Sequence, residues 1–379
     1  MSFLAWIDFD QVDRERTHRI MDLFREEDAR DELGIGAVRD ALSDLLFPGT
    51  STIQTRLRYM LFVPWIYHLA GHHAGTGAAR AEIARRHEIG LIEALERGGE
   101  EAGIIGARAR EALKRLPSDV YWAGLGRLGI RRFAGSRAAC LEIRAEGPGP
   151  DPRLWAPGLP EPEDGFLESA RFRLRREEAD FLRDRLAAEA PGSLYRDLAQ
   201  DGAPPDCPQI WAHPGRAGWP AETRALVAHA ERFSLVLHGA ALLYNLMLSE
   251  RVAEIAEAGE KVAQYRDRLA DWAGEMAATP MAGWELDDLW AACHAAGYRV
   301  TPQTMRFVAE WRALAGPEIA DDPAARAAVA RREMQLKGAK SRFRNAAALA
   351  RWGGASGTER LGFRWPVVAR HLEDLADAA

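Results

Sequence analysis

The sequence predicts a mainly α-helical protein with more than one domain. Three observations carry that expectation. Ala, Leu, Arg and Glu dominate, and apolar residues recur at helical spacing over long stretches, whereas strand-like alternation is scarce. A Pro- and Gly-rich segment interrupts the helical pattern late in the first half of the chain. The chain has 379 residues, a length that accommodates two or three domains and buries a sizeable core without staples.

The elements follow in order. "DRERTHRIMDLFREED" places Ile20, Leu23 and Phe24 on one face with charges opposite, an amphipathic helix. "ELGIGAVRDALSDLLF" repeats the pattern with Ile35, Val38, Leu42, Leu45 and Leu46, and Pro48-Gly49 ends it. Thr50, Ser51 and Thr52 are competent N-caps, so a helix is expected from there through Ile53, Leu57, Met60 and Leu61 to a kink or restart at Pro64. A further helix is expected over Ala78 to Arg97, with Gly98-Gly99 as its C-cap.

Residues 100–135 read as two short helices joined at Pro117-Ser118, with Ser118 as an N-cap: a helix-turn-helix or winged-helix-like unit. Residues 146–166 carry Pro148, Pro150, Pro152, Pro157, Pro160 and Pro162 and read as a linker between domains 1–145 and 167–379. Beyond it come two helices in "LRREEADFLRDRLAAEAPGSLYRDLA", a loop-rich stretch over 203–220, and helix again from Thr223 to Ala278. "SLVLHGAALLYNLMLSERVAEIAE" is apolar on most sides over its first half and is expected to be the central helix of the second domain.

Composition narrows the function classes. Hydrophobic residues make up 47% and charged residues 28%, an ordinary globular balance. Cys140, Cys207 and Cys293 are far apart with no CxxC, which argues against a disulfide framework or a cysteine-rich zinc site and fits a reducing cytoplasm. "MSFLAWIDFDQVDRER" has no basic leader region, and no uninterrupted apolar run of membrane-spanning length occurs, so neither a signal peptide nor a membrane partner is expected. The net charge is −6, so any nucleic-acid role must come from local patches.

The catalytic and cofactor motifs are weak. His68 and His72 share a helix face, as two zinc ligands would, but "HLAGH" lacks the glutamate of HExxH, and neither His73 nor any other residue supplies an evident third ligand. "GTGAAR", "GIIGAR" and "GGASGTERLGF" lack the strand and helix context of a phosphate-binding loop. There is no GxSxG elbow, and Cys293 beside His294 has a spacing that rarely makes a nucleophile and base. No metal, cofactor or catalytic residue is therefore expected. Asp8, Asp10, Asp13 and Glu15 keep a metal-dependent nuclease or hydrolase as an alternative, although acidic residues also suit the start of a helix.

Two basic segments stand out against the acidic whole. Residues 104–137 carry Arg108, Arg110, Lys114, Arg115, Arg127, Arg131, Arg132 and Arg137 against only Glu111 and Asp119. Residues 331–344 carry Arg331, Arg332, Lys337, Lys340, Arg342 and Arg344 against only Glu333. Such clusters suit phosphates, because each one neutralised releases counterions. Tyr121, Trp122, Phe133 and Phe343 are interleaved with them as candidate stacking groups. Arg56 and Arg58, just after the Pro48-Gly49 turn, would extend the contact. Trp352 and Trp365, near glycine-rich loops, are candidate anchors for a protein partner.

"MSFLAWIDFD", "RDELGIGAVRDALSDLLFPGTSTIQTRLRYMLFVPWIY", "LKRLPSDVYWAGLGRLGIRRF", "QLKGAKSRFRN" and "WGGASGTERLGFRWPVV" together resemble an uncharacterised bacterial family known as a domain of unknown function. The resemblance spans the chain. It implies an accessory subunit of a nucleic-acid-targeting, phage-defence system with helicase or nuclease partners, and it assigns no catalytic residue. The expected function is thus a non-catalytic DNA-binding or scaffold subunit of such a complex. A protein adaptor that recruits a helicase or nuclease without touching nucleic acid is the alternative.

Overall fold

The computed structural model describes residues 31–147, 149–254 and 259–378. The expected Ile20 helix and the carboxylates Asp8 to Glu15 lie outside the described residues. The fold is mainly α: fourteen α-helices run through the described residues, and the strand-like pairing among them is a single antiparallel bridge between Arg131 and Trp155.

The chain forms two compact units. Among the described residues, unit I comprises those up to 41 together with those of 228–361, and unit II those of 42–227 together with 362–378. The division therefore does not fall at residues 146–166, which lie inside unit II. Leu154, Trp155, Ala156, Leu159 and Phe166 from this segment are buried, and the Trp65 indole donates to the Pro160 carbonyl at 2.6 Å. Proline and glycine here serve irregular backbone that carries large apolar side chains into the core, so the expected linker is a packed segment.

Unit II is built around the helix Tyr59–Gly71, which buries all of its residues but Leu69. It packs on the helices Gly77–Arg97 and Pro117–Arg127. Tyr59, Phe62, Trp65, Tyr121, Phe166 and Phe172 form one aromatic cluster with centroid separations between 5.3 and 6.4 Å, the spacing at which ring pairs add to simple burial. The helix starts at Tyr59 rather than after Thr50. The backbone donors of the preceding segment are taken by side chains instead: Ser51 N–H by Gln54, Thr55 and Arg56 N–H by the Tyr121 hydroxyl, and Leu57 N–H by the Asp374 carboxylate at 2.7 Å. Pro64 lies within the helix and does not end it, because tertiary burial on all sides outweighs one lost backbone bond.

The expected Ala78–Arg97 helix is observed over Gly77–Arg97, with the Thr76 hydroxyl capping its start. In place of two helices around Pro117-Ser118 there is a 3-10 turn, Arg110–Ala112, and one helix beginning at Pro117. Ser118 does not cap it; its N–H and hydroxyl both donate to the buried Glu88 carboxylate, at 2.7 and 2.9 Å. The helix Trp365–Ala376 closes unit II, and Trp365 is 1% exposed with its indole on the Cys207 carbonyl, so it is a core residue rather than a surface anchor.

In unit I the helix Ala221–Ala253 contributes from residue 228 onward, and four tryptophans fix its surroundings. Trp272 donates to the Leu235 carbonyl and Trp311 to that of Val236, both at 2.8 Å; Trp284 reaches His229 and Trp352 reaches Asn245. This helix is long and apolar enough to cross a membrane, unlike the expectation from uninterrupted runs, but 61% of its apolar window is buried within the protein.

Candidate nucleic-acid interface

The two basic segments fall in different units, 104–137 in unit II and 331–344 in unit I. In both, the structure separates arginines that hold the fold from cations that face solvent.

In unit II, Arg58 is buried at 3% exposure. Its guanidinium donates to both oxygens of Glu178 at 2.8 and 2.9 Å, to Glu163 at 2.9 Å and to the Arg171 carbonyl at 2.8 Å. Burial works against its charge, yet the bonds and charges of Glu178 and Glu163 outweigh it and hold its pKa above the ordinary arginine value. Arg56 is half-buried over the Phe172 ring and donates to Asp374 at 2.8 Å. Arg131 is buried beside Trp122, with its guanidinium on the Phe133 and Trp122 carbonyls. Arg58 and Arg131 thus have no surface to offer a phosphate, which corrects the expectation for both.

Arg110 faces solvent but forms a bidentate pair with Glu96 at 2.6 and 2.7 Å, and Arg137 pairs with Asp119. Arg108, Lys114, Arg127 and Arg132 remain exposed, and Arg115 is half-buried. Arg127 and Arg132 are aimed by bonds to the Glu189 and Pro152 carbonyls.

In unit I a buried network organises the segment. Glu333 is 0% exposed and accepts the Ser341 hydroxyl and the Arg342 N–H, the latter at 2.8 Å. The Arg342 guanidinium donates to Glu32 at 2.9 Å, Tyr244 at 2.8 Å and Ser356 at 3.1 Å, and Lys337 pairs with Glu32. Burial pushes the Tyr244 hydroxyl up to about 12, so it stays protonated beside Arg342. Arg342 is therefore internal, and Lys337 is neutralised; neither is a surface contact. The loop they pin carries Lys340 and Arg344 outward.

Three further cations join these two. The Arg251 guanidinium lies 5.9 Å from the Phe343 ring and donates to the Phe343 carbonyl at 2.8 Å. Arg351 is exposed at the C-terminal cap of the short helix Ala346–Ala350, and Lys261 reaches the neighbouring Gly354. Phe343 and Trp352 are half-buried among them. Arg251 and Lys261 sit some 80 to 100 positions away in the chain, and no local charge run announces them, so a reading of charge density misses both.

His68 and His72 do meet, with their Nε2 atoms 3.2 Å apart. Among the described residues no group of three His, Cys, Asp or Glu side chains is placed to hold a metal.

Neither the curated proteins nor the solved structures contain a match to this chain. A model of a family of unknown function, DUF6361, matches residues 1–379, the whole length, and the chain therefore belongs to that family.

Proposed function

We propose that the protein is a non-catalytic, nucleic-acid-binding subunit that acts in the cytoplasm within a bacterial defence complex. The observation that carries the binding reading is the unit I surface of Lys340, Arg344, Arg351, Arg251 and Lys261, in which Lys340 and Arg344 flank the residues that the buried Glu333–Ser341–Arg342 network pins, while Arg251 and Lys261 sit on helices. Cations on a pinned backbone lose less freedom on binding than cations on a mobile tail, so more of their attraction survives as affinity. Phe343 and Trp352, half-buried beside them, are candidate stacking groups for bases. The complex and its helicase or nuclease partner follow from the sequence resemblance alone.

The test is fluorescence anisotropy of the protein with labelled single- and double-stranded DNA and RNA at roughly 50 and 200 mM salt, a range over which several phosphate contacts cost orders of magnitude in affinity. The expected result is a steep salt dependence whose log–log slope shrinks by about 0.7–0.9 for each contact removed in the variant K340E/R344E/R351E. Binding with an unchanged slope in that variant would overturn the assignment of this surface. Absence of binding at the lower salt would overturn the nucleic-acid reading and favour a protein adaptor.

A further inference from the structure

A second feature of unit I is independent of that surface. Arg332 is 3% exposed, yet no carboxylate pairs with it among the described residues. Its Nε donates to the Leu33 carbonyl at 2.8 Å, and its Nη2 to the Gly34 carbonyl at 3.0 Å and the Thr304 hydroxyl at 2.8 Å. The guanidinium lies 5.3 Å from the Phe307 ring centroid. Gly34 has φ +65°, and a Cβ there would stand 2.6 Å from Nη2, so the turn that receives the arginine needs glycine twice over. This is a built site for a cation. Every acceptor that Arg332 meets among the described residues is neutral.

A buried charge without a counter-ion is costly, and proteins ordinarily pair it. Burial accordingly lowers the Arg332 pKa below the ordinary arginine value, and the charge of Asp31 offsets this only in part. Asp31 is itself engaged, accepting the Ile35 and Gly36 N–H groups at 2.8 and 2.5 Å. Arg332 lines a groove of about 320 Å³ between the helices Pro302–Leu314 and Pro323–Lys337. Arg306, exposed and without an ion-pair partner among the described residues, lines it too, as do Gln303 and Gln335. Arg331 and Glu310, also in the lining, neutralise each other.

We propose that this groove binds a phosphate group, either inorganic phosphate or the phosphomonoester of a small molecule. Two guanidinium groups with no ion-pair partner among the described residues match a dianion better than a carboxylate, which carries one charge, and planar guanidinium donors suit phosphate oxygens. A volume of about 320 Å³ is at the small end of ligand pockets, so the ligand is a small molecule rather than a polymer.

The test is isothermal titration of the full chain with inorganic phosphate and, separately, with adenosine monophosphate, in chloride at constant ionic strength. Saturable one-to-one binding is expected. Tighter binding of the mononucleotide would mark an organic phosphomonoester as the ligand, and equal binding would mark phosphate alone. Arg306→Ala is expected to weaken binding about tenfold or more, the worth of a charged hydrogen bond, and Arg332→Gln to abolish it. The variant K340E/R344E should titrate like the wild type, which separates this groove from the proposed nucleic-acid surface. No saturable binding of either probe at millimolar concentration would overturn the proposal. So would an Arg306→Ala protein that titrates unchanged; because Arg306 is exposed, that variant decides the matter even where Arg332→Gln fails to fold.

Discussion

Removing the charge of Glu178 should cost unit II far more than its single-atom change suggests. Glu178 is 0% exposed and holds Arg58 through two bonds of 2.8 and 2.9 Å. It also accepts the Arg175 N–H at 3.0 Å, near the start of the helix Arg176–Glu189. In Glu178→Gln the amide presents a donor to a guanidinium that has only donors, and Arg58 is left buried with Glu163, half of whose side chain is in water. Breaking a buried pair from one side costs about 3–5 kcal/mol; the surviving Glu163 contact places this case near the lower end, at about 3 kcal/mol. For a unit of this size each kcal/mol lowers Tm by about 2–4 °C, so a fall of about 6–12 °C is expected. The assay is urea unfolding followed by far-UV circular dichroism, with calorimetry for Tm. The companion variant R58M/E178L removes both charges and fills the space with apolar atoms, and it should stay within about 2 kcal/mol of the wild type. The reasoning fails if Glu178→Gln lies within about 0.5 kcal/mol of the wild type, the range of ordinary surface substitutions, or if the double variant is as unstable as the single.

Three further outcomes follow from other buried groups. Burial pushes the Glu88 carboxyl up to about 7 despite the Ser118 bonds that favour its charged form, so the folded state holds a proton that the unfolded state releases; stability should decline as pH rises from about 4.5 to 7, and Glu88→Gln should flatten that slope by up to about 3 kcal/mol in denaturation midpoints measured across this range. His371 shows the opposite sign: fully buried, with Nδ1 on the Tyr195 hydroxyl at 3.0 Å, it is pushed down to about 3 by burial and then by Arg56, so stability should be lost as pH falls from 6.5 toward 3, and His371→Leu should flatten that acid limb. A Cβ at Gly239 would lie 2.4 Å from the Trp272 ring, so Gly239→Ala should destabilise unit I by about 1–3 kcal/mol, as overpacking does, and an unchanged urea midpoint would contradict the packing described here.

Helix content, and much of where helices start and stop, was legible in the chain. Gly77–Arg97 was readable because its signals are local: an amphipathic period and a glycine stop at Gly98-Gly99. The start of the Tyr59–Gly71 helix was not, because the donors of residues 55–57 are claimed by Tyr121 and Asp374, far along the chain. The 146–166 segment misled for a related reason. Proline and glycine report irregular backbone, and only packing shows whether that backbone is exposed or carries a Trp155 into the core.

Charge followed the same division. The sequence by itself located two basic segments in an acidic chain, because charge density is a local property. It could not say which cations are available, since an arginine is neutralised by whatever carboxylate the fold brings to it. Glu178 and Glu32 are remote from Arg58 and Arg342 in the chain and adjacent to them in space. The tertiary structure alone turned Arg58, Arg131 and Arg342 inward, added Arg251 and Lys261 to the exposed set, and left Arg332 buried with no counter-ion among the described residues. The physical reason is that secondary structure follows from neighbours along the chain, whereas desolvation and ion pairing follow from neighbours in space.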